Sequence, residues 1–129
     1  MGKGITDAGF AEAVAAAFVG VAPPLGELTV GDLWVRAPWG DRELLIVMEP
    51  GDALVTKVVV PHPGGRWACG LTCLYVEAGL GPAQDLKSTA RSPRLLQRAL
   101  AAHRAALDRV APLLDGPDGT RLLEGCRAR

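Results

Sequence analysis

Glu43-Leu44-Leu45-Ile46-Val47-Met48, then Pro50-Gly51-Asp52, then Ala53-Leu54-Val55-Thr56-Lys57-Val58-Val59-Val60 before Pro61: this stretch decides the fold. Both runs are apolar and rich in β-branched residues, and each is too short for a globular helix. They read as strands. The break between them is Pro-Gly-Asp, a tight-turn composition. So short a link joins antiparallel neighbours, because a parallel crossover needs a dozen or more residues. The first run has no polar alternation, as in a central strand with both faces at least partly covered.

The same punctuation extends outward in both directions. Pro38-Trp39-Gly40-Asp41 is a turn, and Leu28 to Ala37 before it reads as one strand with Gly31-Asp32 as a bulge or an irregular entry. His62-Pro63-Gly64-Gly65 is another turn, and Arg66 to Glu77 reads as a fourth strand with Trp67, Cys69, Leu71, Cys73 and Tyr75 on one face. Upstream, Thr6 or Asp7 caps a helix whose apolar face is Phe10, Val14, Ala17, Phe18 and Val21, stopped by Gly20 and Pro23-Pro24. Downstream, Gly79 to Lys87 is a loop. Ser92-Pro93 then opens a long helix with Leu96, Leu100, His103, Leu107, Val110 and Leu114 toward the sheet. Pro112 is expected to kink it or start a new turn, and Thr120 to Gly125 to add a short helical turn.

The expected fold is therefore α+β in two layers: an N-terminal helix, a four-stranded antiparallel meander sheet and a long C-terminal helix. It forms one domain over residues 1–129, with short flexible ends at 1–5 and 126–129. One helix cannot cover both faces of a sheet, so the two helices together, or a second subunit, are expected to do so. The layout is similar to small helix–sheet–helix chaperone and adaptor domains, a likeness of fold that carries no function.

A chain of 129 residues and 13.5 kDa buries roughly two-thirds of its unfolded surface and builds a core without staples. Three cysteines, an odd number without framework spacing, then fit a reducing cytosol. No apolar run reaches the ~18 residues of a membrane span. Ala13 to Ala22 is apolar, but Asp7 and Glu12 precede it where a signal peptide carries basic residues. A cytoplasmic location follows. Asn is absent, Ile occurs twice, and Arg outnumbers Lys by 11 to 3, a bias of GC-rich and hence bacterial coding. Net charge is zero, yet residues 1–85 carry five basic and ten acidic side chains and residues 86–129 nine and four. Such asymmetry marks either a binding surface or packing of the two parts on each other.

Motifs for chemistry are missing. In one extended strand Cys69 and Cys73 stand roughly 13 Å apart, too far for a shared zinc or a mutual disulfide. They are expected as buried thiols, and no metal or cofactor is expected. His103 on an apolar helix face reads as a hydrogen-bonded core residue. There is no nucleophile elbow and no phosphate loop. Lys87, Arg91, Arg94 and Arg98, at spacings of 4, 3 and 4, would line one face of a helix beginning before Lys87. Trp39 in its turn is a residue type that anchors protein partners.

The first expected function is accordingly a non-enzymatic cytoplasmic protein-binding module (a small chaperone, an adaptor or an immunity-type inhibitor). It would hold an acidic protein through Trp39, Arg91, Arg94 and Arg98, and free strand edges would favour a homodimer. The alternative is a ligand-binding or enzymatic domain with Cys73, Tyr75 and His103 in a pocket between sheet and C-terminal helix. Nucleic-acid binding through the Arg-rich helix is weaker, because the sequence pI is about 6.7 and such domains are usually net basic.

Overall fold

A computed structural model describes residues 4–127. Residues 1–3 and 128–129, parts of the two ends expected to be flexible, lie outside the described residues. In chain order the elements are α1 (Asp7–Ala17), β1 (Thr29–Gly31), β2 (Trp34–Trp39), β3 (Arg42–Glu49), β4 (Ala53–His62), β5 (Gly65–Gly70), α2 (Leu71–Glu77), α3 (Pro93–Leu114) and α4 (Gly119–Cys126). A single 3-10 turn, Ala83–Asp85, interrupts the loop before α3. The class is α+β, and the strands run β1-β2-β3-β4-β5, each antiparallel to its neighbours.

The sheet has five strands rather than four. The stretch read as one bulged strand folds into a hairpin, with Gly31 paired to Trp34 across Asp32 and Leu33. Leu33 takes a left-handed φ of 57° to make the turn, which its side chain gave no reason to expect. At the other end, the expected strand Arg66 to Glu77 stops at Gly70. Its continuation is α2, where the buried residues are Leu71, Leu74 and Tyr75, the i, i+3, i+4 spacing of a helix face. Alternation and helical period overlap in so short a stretch, and the packing partners decide between them.

The helix ends follow local chemistry. Thr6 Oγ1 accepts from the Gly9 amide at 2.9 Å, and Ser92 Oγ accepts from the Leu95 amide at 3.2 Å with Pro93 at the first helical position. α3 runs through Pro112 to Leu114 without ending there. Arg104 closes the C-terminus of α1, donating from Nη1 to the carbonyls of Ala17 and Val19 at 3.1 and 2.6 Å. Its Nε meanwhile binds the Asp108 carboxylate at 2.9 Å. A cation on the last carbonyls of a helix satisfies orphan acceptors and the helix dipole together.

All four helices serve the same face of the sheet. Val35, Ala37, Trp39, Leu44, Ile46, Leu54, Thr56, Val58 and Cys69 are fully buried there, together with Phe10 and Val14 of α1 and the Leu96–Leu100–Leu107–Val110 stripe of α3. The expectation that the two helices together cover both faces is not met. The residues alternating with that set lie outside the core.

Candidate functional site

The uncovered face is laid out by the strand register. Trp34, Val47 and Val55 form one row across β2, β3 and β4. Arg36, Leu45, Lys57 and Gly70 form the next, and Pro38, Glu43, Val59 and Ala68 the third. Trp34, Leu45, Val47, Val55, Val59 and Ala68 are each only partly buried and contribute nothing to the core. Six apolar side chains therefore share one continuous surface. Gly31 allows Trp34 to lie flat, because a Cβ there would collide with the indole ring. The Arg36 guanidinium stands 5.9 Å from the Trp34 ring centroid.

Arg36, Lys57 and Arg66 on this face stand against Glu43 and, at the end of β3, Glu49, a small positive excess. Arg66 donates to Glu43 at 2.9 Å, which leaves Arg36 and Lys57 without an ion pair among the described residues. A pocket of about 250 Å³ marks one end of the face, between Pro38, Val59, Pro61 and the Glu43–Arg66 pair.

The expected partner-binding set is distributed differently. Trp39 is 1% exposed: its turn is tight, and the alternation of β2 sends the ring into the core, so it offers nothing to a partner. Its indole Nε1 has no hydrogen-bond partner. Arg94 and Arg98 lie exposed on α3, whereas Lys87 and Arg91 precede the helix, so Pro93 breaks the continuous line the spacing suggested. The strand at Trp34–Trp39 is not an edge, since β1 covers it, and β5 is partly closed by a bridge between Cys69 and Arg127.

The second expected set, Cys73, Tyr75 and His103, is not brought together. Cys73 is bonded to Cys126 in a disulfide, with their Cα atoms 5.7 Å apart. The helical turn at Leu71 carries Cys73 out of the strand direction and toward α4, where it meets Cys126, a pairing that the Cys69–Cys73 distance left unaddressed. The bridge corrects the expectation of reduced, core-packed thiols and removes the argument for a reducing compartment that rested on it. It also anchors Cys126, at the edge of the end expected to be flexible, and Ile5 at the other end packs against the core. Cys69 alone keeps a free thiol. Its Sγ donates to the Leu123 carbonyl at 3.2 Å, and burial pushes its pKa up, which leaves it protonated and inert.

His103 sits in the core, as its apolar helix face suggested. Its Nδ1 lies 2.8 Å from Thr56 Oγ1 and its Nε2 3.2 Å from Ser88 Oγ. Ser88 Oγ donates to the Leu86 carbonyl at 3.1 Å, so its proton is already committed and the imidazole Nε2–H is the donor to it. That polarity is opposite to a serine nucleophile beside a general base. Burial lowers the His103 pKa from 6.5 to about 4, opposed by a hydrogen bond to the Lys87 backbone. The ring is a neutral clamp joining β4, α3 and the loop before α3.

Tyr75 does line a pocket, of about 320 Å³, outside the core and apart from His103. Its hydroxyl donates to Asp85 Oδ2 at 2.6 Å and accepts from Arg109 Nη1 at 3.2 Å. The Asp85 hydrogen bond raises the phenol pKa, with burial acting in the same direction. Arg109 Nη1 also donates to the Leu80 carbonyl at 3.2 Å, and the guanidinium stands 5.7 Å from the Tyr75 ring centroid. Gly81 permits the approach, because a Cβ there would lie 2.9 Å from the Tyr75 oxygen and collide with Asp85.

Among the described residues, no three His, Cys, Asp or Glu side chains gather as a metal site. No helix there is long and apolar enough to cross a membrane. No protein-family model, curated protein or solved structure matches the chain.

Proposed function

We propose that this chain is a protein-binding module of the adaptor or chaperone kind, and that its partner docks on the uncovered sheet face. The observation that carries the reading is the continuous apolar surface of Trp34, Leu45, Val47, Val55, Val59 and Ala68, which the chain's own helices leave open. A sheet buries its apolar faces against another layer, and an apolar patch ringed by charge is the mark of an interaction surface.

The occupant is an amphipathic helix with Asp or Glu beside its apolar stripe. A helix supplies the layer missing from this side of the sheet, and carboxylates meet Arg36 and Lys57, which no acidic side chain neutralises among the described residues. A second copy stacked face to face fits less well, because it would bring Arg36, Lys57 and Arg66 of each copy together against Glu43, already paired, and Glu49 at the end of β3. The acidic-partner expectation is thus kept and moved from the helix to the sheet, and the homodimer loses its support.

The test is isolation of the tagged protein at low salt as four forms: wild type, Leu45→Asp, Lys57→Glu and the double variant Arg94→Gln/Arg98→Gln. The reading requires a stoichiometric protein captured by wild type and by the arginine double variant, and lost from both sheet variants. Capture that survives Leu45→Asp and Lys57→Glu, or disappears with Arg94 and Arg98, would overturn it.

A further inference from the structure

We propose that the pocket at Tyr75 and Arg109, on the helical side of the molecule and independent of the sheet face, binds a small organic carboxylate with an apolar body. Arg109 carries the argument. Both of its protein hydrogen bonds leave from Nη1, to Tyr75 and to the Leu80 carbonyl. The edge formed by Nε and Nη2 therefore has no acceptor among the described residues. That edge presents two parallel N–H groups, the fork that a carboxylate accepts in bidentate fashion. The Tyr75 ring below and the two Nη1 bonds hold the guanidinium in place before any ligand arrives, so little side-chain freedom is lost on binding.

The rest of the lining sets charge and size. Lys87 faces the same pocket and makes no ion pair among the described residues. Lys87 and Arg109 against Asp85 leave one net positive charge, which a monoanion neutralises and a phosphate dianion exceeds. Asp85 Oδ2 already accepts the Tyr75 O–H hydrogen bond, so the phenol anchors the wall and does not donate to the ligand. Ala102, Ala105 and Ala106 form the apolar side. Their short side chains leave about 320 Å³, at the small end of the ~300–1,000 Å³ range of ligand pockets.

The experiment is a two-dimensional NMR titration of the intact protein with benzoate, benzamide, inorganic phosphate and the capped peptide acetyl-Ala-Glu-Ala-amide. Benzoate is expected to give saturable shifts at Tyr75, Lys87 and Ala102. Benzamide, which lacks the charge, should bind more weakly by about tenfold or more, the usual weight of a charge-assisted bidentate contact. Arg109→Gln should remove benzoate binding, and Lys87→Gln should weaken it severalfold. Ala102→Leu, a substitution that suits a helix, should block the pocket without changing a charge. The last two variants keep the test open if Arg109→Gln disturbs the fold. Equal binding of benzamide, tighter binding of phosphate or of the peptide, or wild-type affinity in both Lys87→Gln and Ala102→Leu would overturn the proposal.

Discussion

The two faces of the central sheet are built from the same residues in alternation and meet opposite fates. On one, Leu44, Ile46, Leu54 and Val58 are buried completely beneath four helices. On the other, Leu45, Val47, Val55 and Val59 are nearly as apolar and remain partly exposed. The first set holds the fold together. The second adds little to it, since a side chain with no layer above it leaves much of its surface in water. Apolarity on both sides of a strand signals burial on both sides, and on the second side the described residues supply no layer of their own, which is the place the proposed partner would take. The charges follow the same division. On the covered side, Arg42 pairs with Asp115 at 3.1 Å, whereas Arg36 and Lys57 on the open side make no ion pair among the described residues.

Adjacent residues test this contrast most sharply. Leu44→Ala should cost about 2–5 kcal/mol in chemical denaturation, the range for a leucine removed from a packed core. Leu45→Ala should cost under ~1 kcal/mol, as expected for a substitution that opens no cavity. Similar losses at the two positions would mean that the open face is covered. Next in size is the Cys73–Cys126 bridge, which ties α2 to α4 at a sequence separation of 53. Its removal by Cys73→Ala/Cys126→Ala should cost about 2–4 kcal/mol in the same measurement, through the freedom returned to the unfolded chain.

The His103 clamp makes the covered face sensitive to pH. Its pKa is lowered to about 4 in the folded protein, while the unfolded chain takes up its proton near 6.5. The unfolded state therefore binds more protons between these values. The His103 contribution to stability is full above about pH 6.5, declines by about 3 kcal/mol as the pH falls to 4, and changes no further below that. Denaturation of wild type and His103→Gln from pH 7.5 to 4 checks this, and the wild-type slope in that window should be absent from the variant. Smallest of all, Arg94→Gln/Arg98→Gln should change stability by less than ~0.5 kcal/mol, because these side chains are exposed and lie outside the ion pairs among the described residues.

Much of the architecture was legible because its signals are local. The turns at Gly40–Asp41, Pro50–Asp52 and Pro63–Gly64, the Ser92-Pro93 start of α3 and its inward stripe are each written within a few residues. The β1–β2 hairpin escaped because its turn places a leucine at positive φ, where glycine or asparagine is the usual sign. The Arg66–Glu77 stretch escaped because alternation and helical spacing coincide there. Of the site, the apolar surplus of Leu44–Met48 was visible, but which face it leaves open was not.

By itself the sequence determined the class, the antiparallel pairing of the central strands and the turns that join them, since a hairpin sheet is assembled from turns and alternation that neighbouring residues carry. Only the tertiary structure decided that all the helices fall on one side, that Trp39 points inward, and that Cys73 meets Cys126. Each of those depends on contacts between segments far apart in the chain, and no local pattern of residues encodes which distant partner a side chain will find.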